Sequence, residues 1–142
     1  MQLKNEVQIK FASKSINEGF ARVAIGTFIS QLDPTVEELY DIKTAISEAV
    51  TNSIIHGYEE RVDGEISIKC TYEDRKVIIE VIDEGKGIKD VEGSMMPLYT
   101  TSEGEERAGL GFTVMQSMMD ELEVFSELGK GTKVIMKRTL SS

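Results

Sequence analysis

Two glycine-marked segments carry the residues best suited to holding a flat ring and a string of phosphates. In Asp83-Glu84-Gly85-Lys86-Gly87-Ile88 a carboxylate ends an apolar run and two glycines follow. The acid can accept a hydrogen bond from a polar ring, and the glycines let the backbone approach closely or take positive φ. The same composition also makes a plain turn. In Arg107-Ala108-Gly109-Leu110-Gly111-Phe112 the glycines precede residues with helical character. Amides at a helix N-terminus can point at phosphate oxygens, the helix dipole favours their charge, and Arg107 adds a charge-assisted fork. This is not a dinucleotide fingerprint, which needs a third glycine and a βαβ unit, nor a Walker loop, which needs Gly-Lys-Ser/Thr.

Two further pieces flank these. Glu48 and Asn52, spaced i, i+4, share one helix side about 40° apart. That side also carries Glu37, Asp41 and Thr44, opposite an apolar stripe of Leu39, Ile42, Ile46, Val50 and Ser53, so it also reads as a solvated helix face. Gly129-Lys130-Gly131-Thr132 enters the last strand and reads equally as a hairpin turn.

The elements that must position these pieces are legible from periodicity. Val7, Ile9 and Phe11 alternate as an opening strand, and a helix is expected over 17–31. Leu32-Asp33-Pro34-Thr35 breaks it, and Thr35 with Glu38 resembles a capping box that starts a second helix over 36–56, ended by Gly57. Residues 65–72 alternate as a strand, Glu73-Asp74-Arg75 turn, and 77–82 are apolar at five of six positions, as in a strand covered on both faces. The segment 83–111 has little periodicity and reads as a binding loop or lid. A helix over 112–120 and strands over 122–126 and 133–137 complete an α/β two-layer sandwich with a mostly antiparallel, mixed sheet and helices on one face.

The 142 residues suffice for one domain with a proper core, and 40% apolar with 29% charged residues suits a globular chain. No apolar run approaches the ~18 residues of a membrane span, and the start lacks a signal-peptide core, so no membrane partner is expected. Cys70, the single cysteine, reads as a reduced core side chain of a cytoplasmic protein. A net charge of −9 argues against direct nucleic-acid binding, and it requires any bound anion to be held by local features.

Together, Glu-x-x-x-Asn, Asp-x-Gly-x-Gly-Ile, Gly-x-Gly and Gly-Thr, in that order, resemble the Bergerat-type ATP-binding superfamily of gyrase B, Hsp90, MutL and the histidine kinases. The resemblance implies that Asn52 holds Mg2+, that Asp83 accepts from the adenine amino group, and that Gly85, Gly87 and Ile88 line the same ATP/ADP pocket. It implies that Gly109, Leu110 and Gly111 cradle phosphates beneath a lid over 89–108, with Thr132 near the adenine. Thr101 and Arg107 belong to the nucleotide site on the same basis, and Arg107 could pair with the γ-phosphate.

At this length neither the extra domains of the chaperones, topoisomerases and repair proteins nor a helical hairpin with a phosphoacceptor histidine is expected. The only histidine, His56, reads as a cation near a helix end. Within the superfamily, Ser47-Glu48-Ala49-Val50-Thr51-Asn52-Ser53-Ile54-Ile55-His56-Gly57-Tyr58 is similar to the anti-sigma serine kinases of endospore-forming bacteria. So are Phe20-Ala21-Arg22-Val23, Gln31-Leu32-Asp33-Pro34-Thr35 and Pro97-Leu98-Tyr99-Thr100-Thr101, and the resemblance covers nearly the whole chain. It implies a switch protein that sequesters a sporulation sigma factor and phosphorylates a serine on an anti-anti-sigma protein. Glu48 would be the catalytic base, Arg22 would lie on the partner-binding surface, and the chain would form a homodimer through its first strand and helix. Lys89, Ser102-Glu103 and Leu110 depart from the family pattern, chiefly in the lid. A stress-response anti-sigma kinase and an ATP-dependent binding module without kinase activity remain the alternatives.

Overall fold

The alternating start forms strand β1 (Lys4–Ala12), which pairs along its whole length with β2 (Glu65–Glu73). The computed structural model describes residues 3–88 and 103–141, with side chains in the second stretch from Gly109 onward. Between β1 and β2 run α1 (Ile16–Ile29), a short 3-10 turn (Ser30–Leu32), α2 (Val36–Asn52) and a single π turn (Ser53–Gly57). After β2 come β3 (Lys76–Asp83), α3 (Glu103–Met118), β4 (Glu121–Glu127) and β5 (Gly131–Thr139).

The start of α2 follows from its sequence. Thr35 Oγ1 accepts from the Glu38 amide at 3.0 Å, and Glu38 Oε1 accepts from the Thr35 amide at 2.9 Å, a reciprocal capping box. Glu38 also accepts from the Ser141 amide at 2.7 Å, which ties the chain's end to the head of α2. Thr35→Ala is expected to cost about 1 kcal/mol, read as a lower urea midpoint with unchanged slope.

Among the described residues the sheet order is β1-β2-β3-β5-β4 and every pairing is antiparallel, which narrows the expected mixed sheet to a purely antiparallel one. The register lines up side chains in rows across the face that packs on the helices. One row is Val7, Cys70, Ile79, Met136 and Leu122, and the next is Ile9, Ile68, Val81, Val134 and Val124. Ile25, Ile29, Ile42, Ile46 and Val50 of α1 and α2, with Phe112 and Met115 of α3, close over these rows. Burial holds the Cys70 thiol at a pKa of about 12, so it stays protonated. A third row, Phe11, Ile66, Asp83, Thr132 and Ser126, turns polar halfway across the sheet. That polar half is the floor of the candidate site.

Three expectations need correction. β3 is not covered on both faces: Val77, Ile79 and Val81 are buried, whereas Ile78, Glu80 and Ile82 are half-buried. On that outer face Lys133 reaches Glu80 at 2.9 Å, and long lysine stems give the isoleucines partial cover without a second layer. The third helix does not begin at Phe112. It begins at Glu103, so the segment expected to be loop to Gly111 is helical over its last third. Glu103, Glu105 and Glu106 suit the positive end of a helix, and packing of Phe112 and Met115 into the core offsets the roughly 1 kcal/mol that each interior glycine costs. Finally, α2 is α-helical only to Asn52, and the residues up to Gly57 form the wider π turn. Of the expected lid over 89–108, residues 89–102, Thr101 included, lie outside the described residues, as does the Arg107 side chain.

Candidate nucleotide site

Asp83 closes β3 with its side chain on the helix face of the sheet, only 5% exposed. Burial raises its pKa, and three donors oppose that effect: the Gly85 amide at 2.9 Å, the Ser53 hydroxyl and the Thr132 amide. Those donors come from the turn itself, the π turn after α2 and the neighbouring strand. The π turn matters here because a one-residue widening carries Ser53 toward β3, and such turns favour functional places.

The two glycines after Asp83 are required by close backbone approach. A Cβ on Gly85 would stand 2.1 Å from the Gly57 carbonyl oxygen. Gly87 has φ +77°, and a Cβ there would stand 2.1 Å from the Glu127 carbonyl oxygen. Hydrogen bonds close both contacts: the Lys86 amide donates to Gly57 O at 2.8 Å, and the Gly129 amide donates to Lys86 O at 2.6 Å. The Ile88 amide donates to Ser126 Oγ at 2.7 Å, and Ser126 Oγ lies 2.8 Å from Thr132 Oγ1. The turn 84–88 is thus held by the end of α2 on one side and by the β4–β5 hairpin on the other.

Glu48 and Asn52 do not lie on a solvated face. Their side of α2 faces α3, Glu48 is half-buried and Asn52 is 9% exposed. A Cβ on Gly111 would stand 3.0 Å from Asn52 Oδ1 and Nδ2 and 3.2 Å from Glu48 Oε2. Gly109 and Gly111 therefore lie within α3 rather than ahead of it, and their amides are past the first turn whose donors are free to bind anions. At Gly111 the missing side chain leaves space for the Glu48–Asn52 pair. Burial raises the Glu48 pKa, and the charge of Glu18 on α1 raises it further. Glu18 in turn pairs with Arg22 at 3.2 Å, so the expected partner-surface arginine is a half-exposed member of an i, i+4 ion pair. A groove of about 310 Å³ opens beside them, lined by Ser13, Ser15, Glu18, Thr51, Ile55 and Val62 among others.

The structure thus forms two sets: Asp83, Gly85, Gly87, Ile88 and Thr132 on one side, and Glu48, Asn52 and Gly111 on the other. Gly109 is buried in α3, while Leu110 is exposed. Sequence reasoning missed Ser53, Ser126 and Tyr58. For Ser53 a signal existed, since it is a hydroxyl inside an otherwise apolar stripe.

The group that such a site holds can be tested on these residues. Asn52 Nδ2 is buried and has no hydrogen-bond partner among the described residues, an arrangement that costs free energy unless a bound group completes it. Among the described residues no three His, Cys, Asp or Glu side chains gather as a metal cage. The orphaned Nδ2 is a donor and suits a phosphate oxygen, while Oδ1 of the same amide suits Mg2+ that arrives with the phosphates and keeps most of its own ligands. The residues fit Mg-ATP.

The histidine kinase-like ATPase domain family matches residues 14–138, and the chain belongs to it. Its curated relatives are narrower in kind. The anti-sigma F factor of Thermoanaerobacter sp. (strain X514) is 58% identical over 142 residues, covering 100% of this chain and 99% of its own. That of Caldanaerobacter subterraneus subsp. tengcongensis is 60% identical over 138 residues, covering 97% and 96%. The chain is a member of the anti-sigma F factor family. Among solved structures, the RsbU and RsbW domains of Rv1364c from Mycobacterium tuberculosis share the fold at a TM-score of 0.72 and 20% identity, over 97% of this chain and 33% of that one. The blue-light activated histidine kinase of Erythrobacter litoralis shares it at a TM-score of 0.58 and 23% identity, over 84% of this chain and 40% of its own. The domain family carries ATP or ADP as its ligand. No described helix is long and apolar enough to cross a membrane.

Proposed function

We propose that this anti-sigma factor acts in the cytoplasm as an ATP-dependent protein serine kinase, binding a sporulation sigma factor and phosphorylating a serine of that factor's anti-anti-sigma antagonist. The observation that supports this most is the half-buried Glu48 carboxylate beside the buried, incompletely bonded Asn52 amide, both facing Gly111.

In this reading Asp83 accepts from the adenine amino group, with Gly85, Gly87, Ile88, Thr101 and Thr132 around the base. Arg107 serves the phosphates, Gly109, Leu110 and Gly111 border them as small or exposed residues of α3 rather than through free helix amides, and Asn52 holds Mg2+, which neutralises phosphate charge when bound. Glu48 takes the proton of the attacking serine hydroxyl as its oxygen bonds to the γ-phosphorus and the bond to the β-phosphate oxygen breaks, leaving ADP. The raised Glu48 pKa suits a base, because a carboxylate of ordinary acidity holds a proton too weakly. The groove bordered by Glu18 and Thr51, one helical turn from Glu48, receives the serine-bearing segment in this reading, and Arg22 beside Glu18 serves both protein partners. The chain acts as a homodimer, for which the exposed Ile16, Phe20 and Val23 on α1, beside edge strand β1, provide an apolar surface.

Incubation with radiolabelled ATP and a candidate anti-anti-sigma protein, followed by phosphoamino-acid analysis, is expected to yield phosphoserine. ATP binding with no transfer would leave a nucleotide-dependent binding module. Asn52→Ala is expected to remove the Mg2+-dependent part of ATP affinity in calorimetry, with folding stability little changed. Undiminished Mg2+-dependent affinity would exclude Asn52 as the ligand.

A further inference from the structure

Tyr58 is among the most buried polar side chains of the described residues, 4% exposed, and its hydroxyl reaches the turn of the expected base pocket at a backbone amide. Its own backbone is fixed from both directions: its amide donates to Ser53 O at 2.9 Å, and its carbonyl accepts from the Arg61 amide at 2.9 Å and from Arg61 Nε at 3.1 Å. The phenol is therefore aimed by the π turn. Its hydroxyl donates to the Glu65 carbonyl and accepts from the Glu84 amide at 2.8 Å.

Those two partners face each other across the sheet. The β2–β3 ladder ends at the pair Ile66–Asp83, so Glu65 and Glu84 would form its next rung. A direct amide-to-carbonyl bond would continue the pairing past Asp83. Instead the phenolic oxygen stands between donor and acceptor, satisfying both and forcing the strands apart one residue beyond the acid. The chain can then turn at Glu84 and Gly85, where the Gly85 amide folds back on Asp83 Oδ1 at 2.9 Å. Gly64 makes room for the ring, since a Cβ there would stand 2.5 Å from it.

We infer that Tyr58 is a positioning residue for base recognition: its hydroxyl, inserted as an extra rung between β2 and β3, sets the turn that directs the Asp83 carboxylate at the 6-amino edge of a purine. The inference rests on the reading of Asp83 as the acceptor for adenine.

The test compares the affinities of ATP and purine riboside triphosphate, which lacks the 6-amino group, by calorimetry on the full chain. Tyr58→Phe keeps the buried ring and removes only the inserted oxygen. Its preference for ATP over the analogue is expected to fall about tenfold, with the Mg2+ dependence retained. A lower melting temperature with the preference intact would reduce Tyr58 to a structural role and overturn the inference. Asp83→Ala, which removes both acceptor oxygens, separates the two layers. If it abolishes the preference while Tyr58→Phe does not, the Tyr58 inference alone falls. If Asp83→Ala leaves the preference intact, the adenine reading falls and takes the inference with it. Should Tyr58→Phe not fold, amide exchange in the unaltered protein decides. A protected Glu84 amide is expected, and free exchange there would overturn the inserted rung.

Discussion

Glu48→Gln is expected to slow serine phosphorylation by about 100- to 10,000-fold, the usual contribution of a positioned general base, while ATP affinity changes little. Glutamine keeps the shape that fits beside Asn52 and Gly111 and cannot take a proton. The pH dependence provides a second reading. Burial, then the Glu18 charge, raises the Glu48 pKa above that of an ordinary glutamate. The base must be deprotonated to act, so activity falls as pH drops through that raised value. The acidic limb of the rate profile therefore lies above the ordinary glutamate range. Glu18→Gln removes the smaller of the two causes and is expected to move the limb downward. The limb disappears in Glu48→Gln. Transfer by Glu48→Gln at the unaltered rate would end the assignment of Glu48 as the base.

Gly85→Ala is expected to abolish nucleotide binding and lower folding stability by about 3 kcal/mol, the upper range for overpacking. The new methyl would meet Gly57 O at 2.1 Å, Gly57 C at 2.3 Å and Gly57 Cα at 2.6 Å. All three are backbone atoms, so no rotamer change relieves the clash. Either the π turn or the turn after Asp83 must move, and both hold the Asp83 carboxylate. For a chain of this size the loss corresponds to roughly 10 °C in melting temperature. A variant that melts normally and binds ATP normally would show that the two turns are not in contact in solution.

The parts of the fold set by local rules were legible in the sequence. The capping box at Thr35 and Glu38 and the alternating rows of β1 and β2 need only neighbouring residues to be read. The start of α3 was not, because Gly104, Gly109 and Gly111 lower helix propensity and hide a run of good helix formers between them. The side of α2 that bears Glu48 and Asn52 was placed correctly around the axis, but its spacing alone read equally as a solvated face. A helical wheel gives direction and says nothing of what stands opposite, which here is α3 (Glu103–Met118), far along the chain from Asn52. Ser53, Ser126 and Tyr58 were hidden for the same reason: each acts on a turn far away in sequence. The nucleotide motif was legible as an ordered set of residues, while the braces that shape it come from the tertiary structure.

The polar row at the end of the sheet has a consequence for how the chain is made. Asp83 is synthesised well before Thr132, whose amide helps hold its carboxylate, and before Gly131, which lies against the Asp83 backbone. Until β5 emerges, β3 is an unfinished edge, and the turn 84–88 lacks the hairpin that braces it. A growing chain on the ribosome thus has its Asp-x-Gly-x-Gly motif but no complete socket for a base. ATP can stabilise only the finished molecule, by mass action on the folded state, and gives no help to the partly made one.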